Sequence, residues 1–106
     1  MSVTIAKLKS LEQLLESGIE DLTVQMTIDK IIKQKIEDER KSMRHLKRRL
    51  RRFERKYKIA SEEFYERFSQ GELGDSTDFV EWFAYCDMYH RSVDRIKLLK
   101  GAEGWQ

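Results

Sequence analysis

The chain contains no proline, a single cysteine and only five glycines among its 106 residues. Without proline nothing forces a helix to break, so long helices are allowed. One thiol, Cys86, cannot make an internal disulfide, which suits a reduced, cytoplasmic protein. No apolar run approaches the ~20 residues that span a bilayer, so no membrane partner is expected. Lys7 and Lys9 sit inside an amphipathic pattern, and the N-terminus does not read as a secretory signal. Motifs that carry chemistry are also scarce. There is no Gly-rich phosphate loop and no nucleophile elbow, and the chain has only two histidines. An enzyme is not expected, and no cofactor is implied.

What the chain does have is charge, at 38% of residues, placed very unevenly. Between Arg40 and Lys58 lie eleven Lys or Arg residues and one acid, Glu54. The remainder carries ten basic and eighteen acidic residues, so the formal total of +2 conceals a polarised molecule. Such a layout points to partners, not to chemistry.

The apolar pattern is helical throughout. Ile5, Leu8, Leu11 and Leu15 recur at three-to-four spacing, predicting a short helix over 3–16 that Ser17-Gly18 ends. Residues 19–24 admit a brief extended piece, with Thr23 or Thr27 capping the next helix. That helix is expected to be long, over 23–58, a rod of roughly 50 Å. Within it Ile32, Ile36, Glu39, Met43, Leu46, Leu50, Phe53 and Tyr57 alternate steps of four and three, a heptad seam broken only by Glu39. A coiled-coil-like dimer along Ile32, Ile36, Met43, Leu46, Leu50 and Phe53, or a helical hairpin docked there, would cover it. Ser61, with Glu62 and Glu63 in its first turn, opens a third helix. Gly71-Glu-Leu-Gly74 turns the chain, and Asp75 or Ser76 caps a last helix to about Lys100, with a tail over 101–106. The expected fold is all-α: one domain of about four helices, split as 1–22, 23–58, 59–100 and the tail.

Arg44, Arg48, Arg51, Arg52 and Arg55 fall broadly on one side of the long helix, with Lys41 and Lys47 at its edge. They can contact the phosphates of a nucleic acid, pair with acids of this chain or its dimer mate, or meet an acidic protein. A basic-zipper protein places its basic region before the heptads, whereas here the two overlap. Residues 64–89 hold eight of the eleven aromatics. Tyr65, Trp82, Tyr85 and Tyr89 cannot all face inward on helices this short, and exposed Tyr and Trp are typical interface anchors. Cys86, His90 and Asp94 share a helix face at i, i+4, i+8, and Asp87-x-x-His90 has the spacing of half a carboxylate-bridged metal site. Nothing completes either set, since the other histidine, His45, lies in the basic segment. No metal is expected, and Cys86 reads as a small buried hydrophobe.

Phe53-Glu-Arg-Lys-Tyr57, Ser61-Glu-Glu-Phe-Tyr-Glu-Arg-Phe68, Gly71-Glu-Leu-Gly-Asp75 and Asp78-Phe-Val-Glu-Trp82 succeed one another closely. Together they resemble a family of small prokaryotic proteins, many of them antitoxin partners in two-gene toxin–antitoxin modules. Glu63, Phe64, Phe68, Gly71, Leu73, Gly74, Asp75, Phe79, Glu81 and Trp82 carry the resemblance. It spans Phe53 to about Tyr89, roughly a third of the chain. It implies an all-helical protein that binds and silences a small toxin, and it leaves open whether residues 1–52 serve dimerisation, toxin contact or autoregulatory DNA binding. The rival expectations are a nucleic-acid-binding dimer that uses the basic helix, and a homodimeric coiled-coil adaptor.

Overall fold

The computed structural model describes residues 2–103, and all four of its elements are helices: α1 (Val3–Glu16), α2 (Leu22–Tyr57), α3 (Ser61–Ser69) and α4 (Thr77–Glu103). Among the described residues there is no strand, and no helix is long and apolar enough to cross a membrane. The chain forms two compact units, Met1–Ile32 and Lys33–Gln106, with α2 contributing to both.

In the first unit the Ser2 hydroxyl accepts the Thr4 N–H at 3.2 Å and starts α1. Ser17 closes the helix, and Gly18 takes the left-handed turn at φ 94°. The Asp21 carboxylate then accepts the Val24 N–H at 3.1 Å, so α2 begins at Leu22. There is no extended piece before it, and the cap is Asp21, not Thr23 or Thr27. α1 has no buried residue.

The second unit is built around aromatic rings. The ring of Trp82 lies 3.8 Å from that of Phe64 at an interplanar angle of 5°, with Phe53 stacked on it at 5.5 Å. Leu50 and Cys86 complete this buried cluster, and Tyr57, Phe68, Leu73 and Phe79 pack around it. α4 runs antiparallel to α2: Asp78 meets Lys56, Trp82 meets Phe53, Tyr85 meets Arg49 and Arg95 meets Glu39. The helix continues past Gly101, where a stop was expected, to Glu103. The rest of the expected tail, 104–106, lies outside the described residues.

This packing shows what covers the heptad stripe. Ile36, Leu46, Leu50 and Phe53 are buried within the chain itself, while Ile32 and Met43 are half-buried. For Leu50 and Phe53 the cover is α3 and α4, through Phe64, Trp82 and Cys86. These four side chains are therefore core and not a free seam for a second copy. Glu39, the polar break in the stripe, sits opposite Arg95, which donates to it from Nε at 2.5 Å and from Nη2 at 3.2 Å.

The connections are made by specific groups. Lys58 ends α2 in the left-handed region at φ 60°, its N–H donating to the Glu54 carbonyl at 2.9 Å. Ala60 precedes α3 and has no side chain to cap it. The Glu54 carboxylate, one turn back in α2, accepts the Ser61 N–H at 2.8 Å instead. Gly71 takes φ 76° after α3, and Ser76 caps α4 by accepting the Phe79 N–H at 3.2 Å.

Candidate functional site

The basic segment lies on α2, whose inner face is packed, so its cations project outward. Arg44, Arg48, Arg51, Arg52 and Arg55 are all exposed. Arg44 makes a long, exposed contact with Glu37 at 3.4 Å. Arg48, Arg51, Arg52 and Arg55 have no ion pair or hydrogen bond within the chain among the described residues. Four acids that do form ion pairs take other cations. Asp78 takes Lys56, Asp87 takes Arg91, Glu72 takes Arg67 and Glu39 takes Arg95. Pairing within one chain therefore does not account for the arginine face.

The aromatic candidates divide. Trp82, expected among the outward anchors, is fully buried (0% exposed), and its indole N–H donates to the Ser61 hydroxyl at 3.0 Å. It is core, because α4 turns this position onto the Phe53 and Phe64 rings. Tyr65, Tyr85 and Tyr89 are half-buried. Tyr65 stacks on Phe83 at 4.7 Å and meets the His90 ring edge-on at 4.8 Å.

Two clefts bring some of the remaining aromatic and basic candidates together. One, of about 270 Å³, is lined by His45, Arg48, Arg49, Arg52, Phe53, Glu81 and Tyr85. There Arg49 donates from Nη1 to the Tyr85 hydroxyl at 2.7 Å, with its guanidinium carbon 5.2 Å from the ring centre. The same hydroxyl donates to Glu81 at 3.0 Å. Tyr85 is thus held beside Arg48 and Arg52, whose own guanidinium donors are unused. The other cleft, of about 440 Å³, has Tyr89 and His90 of α4 facing Lys47 and Arg51 of α2, over Leu50 and Cys86. Arg44, Arg55 and Tyr65 line neither.

Sequence reasoning missed Arg49, Glu81, Glu54 and Ser61 as organising residues. Glu81 stands four residues before Tyr85 on α4, and Arg49 meets Tyr85 only through the α2–α4 pairing. Cys86 is buried, and that burial, with the nearby Glu54 charge, pushes its thiol up to about 12. It remains protonated at neutral pH, which does not suit nucleophilic attack. Among the described residues no group of three or more His, Cys, Asp or Glu side chains is placed to hold a metal ion.

No protein family matches the chain by its profile, and neither a curated protein nor a solved structure matches it. The functional conclusion accordingly rests on the geometry above and on the residue pattern over Phe53–Tyr89.

Proposed function

We propose that the chain is an antitoxin-like binding protein, one that neutralises a small toxin-like protein by direct protein–protein contact. The observation that carries this reading is the face on which Arg48 and Arg52 flank the anchored Tyr85 with no acid of their own chain engaging them. Unpaired guanidiniums beside a half-buried tyrosine are the mixture that anchors interfaces. Their charge calls for an acidic counterpart. Tyr89 and Arg51 extend the surface across the second cleft, and Tyr65 lies on the same helical hairpin. The resemblance over Phe53–Tyr89 supplies the class of partner.

Co-expression with the product of the adjacent reading frame tests the proposal. A growth arrest caused by that product and relieved by this chain is the expected outcome. Absence of either the arrest or the relief would sink it.

The same unpaired arginines favour a second reading, binding to nucleic acid, including the operator of the chain's own gene. Counterion release makes that reading measurable. If four arginines reach phosphates, log K falls against log salt with a slope near −3.6 for duplex DNA, by about −0.9 per contact. An affinity that barely changes between 50 and 200 mM salt, on the order of a fourfold range, would exclude it.

A further inference from the structure

With the heptad stripe of α2 covered inside the chain, the largest apolar surface left open lies in Met1–Ile32. Eleven large apolar side chains in this unit are each at least 36% exposed. α1 buries none of its fourteen residues. A helix of that length is marginal alone in water, and most of its stability must come from packing an apolar face. A unit of about 30 residues without disulfide or metal usually needs association to stay folded.

The exposed side chains form a surface with a definite shape. Leu8, Leu11 and Leu15 of α1 and Ile28 of α2, together with Glu12 and Glu16, line an open cleft of about 340 Å³ between the two helices. The eleven side chains together present on the order of 1,000 Å², compared with the ~800 Å² that each partner contributes to a standard stable interface. That is far more than scattered apolar exposure on a monomer.

The charges beside the stripe indicate what covers it. The first half of α1 carries Lys7 and Lys9, and the second half carries Glu12 and Glu16. None of the four has an ion pair or hydrogen bond within the chain among the described residues. Glu12 and Glu16, four apart on one helix, repel each other unless a cation faces them. A partner of a single charge sign would match half of this rim and oppose the other half. A second copy brings both signs, and a two-fold axis repeats each match.

We infer that Met1–Ile32 is a homodimerisation element, in which the leucine-lined clefts of two copies close on each other as a four-helix bundle. The inference is independent of the toxin-binding proposal, since it uses none of the same residues.

Sedimentation equilibrium on the full chain tests it. The expected mass is about twice the 12.8 kDa of one chain. The thermal midpoint should rise with protein concentration, as it does when folding is linked to association. Leu8→Asp with Leu11→Asp should halve the mass while the near-UV ellipticity of the buried Trp82 persists. Leu98→Asp, on the exposed side of α4, should leave the mass unchanged. Hydrogen exchange on the wild-type chain gives a check that needs no variant: protection in α1 and the first turns of α2 should grow with concentration. A wild-type mass of one chain at about 100 µM would overturn the inference and leave the surface to a different protein. So would a dimer that survives the double substitution, or concentration-dependent protection confined to Lys33–Gln106.

Discussion

Ser61 joins three parts of the second unit through atoms that its neighbours cannot replace. Its hydroxyl accepts the Trp82 indole N–H, its backbone N–H donates to Glu54, and its carbonyl faces the Cys86 thiol at 3.9 Å. Ser61→Ala keeps the helix but leaves the indole donor unpaired in a dry core. The expected cost is about 1–3 kcal/mol in urea denaturation, against about 3–5 kcal/mol for Trp82→Ala. Equal stability of Ser61→Ala and wild type would mean that another acceptor reaches the indole. Two carboxylates set the acid limit. Hydrogen bonds from Lys56 and then Tyr57 hold Asp78 below its ordinary value of 3.8, and the Arg95 hydrogen bond holds Glu39 below 4.5. For groups depressed by folding, the stabilisation is complete above the ordinary value and drains away as pH falls through the lowered one. The thermal midpoint should therefore drop below about pH 4, and Asp78→Asn with Glu39→Gln should flatten that fall. At this scale the sequence makes Cys86 legible as core, because a lone apolar-face cysteine has one common use. It does not settle Trp82, because spacing alone cannot say which of four aromatics spread over two helices faces a neighbour.

The helices show how much punctuation matters. Lys58 occupies a left-handed position without glycine's freedom, at the point where α2 must stop before α3. Lys58→Gly removes that strain, and an increase of about 0.5–1 kcal/mol is expected in chemical denaturation. A decrease would show that the Lys58 side chain contributes more than its backbone costs. Gly18 and Gly71 are legible as stops, and both take positive φ. Gly101 is not the stop that its type suggests, since a glycine in α4 costs only propensity and the helix runs on to Glu103. The start of α2 is misread in sequence as capped by Thr23 or Thr27, because Asp21 is an equally competent cap that the pattern does not single out, and the observed bond to Val24 identifies it. The heptad pattern of α2 marks a buried stripe correctly at Ile36, Leu46, Leu50 and Phe53. A stripe does not specify what covers it, and here α4 returns along α2 to do so.

Across the whole molecule the charge asymmetry read from the sequence persists in three dimensions. Asp78, Asp87, Glu72 and Glu39 are engaged with cations outside the arginine face. Arg48, Arg51, Arg52 and Arg55 are left facing outward on the helix that packs against Tyr85 and Tyr89. The sequence identifies this set of cations but not the clefts, because the clefts exist only once α2 and α4 pair in their particular register. We propose that this face engages an acidic protein partner. The most direct measurement is protection against the product of the adjacent reading frame, by wild type and by a variant carrying Arg48→Glu, Arg51→Glu, Arg52→Glu and Arg55→Glu. All four positions are exposed and unpaired among the described residues, so the variant should keep the thermal midpoint of wild type to within a few degrees. Loss of protection by the folded variant, with co-purification of the two products abolished, is the predicted result. Full protection by the folded variant would contradict the claim and move the contact away from α2.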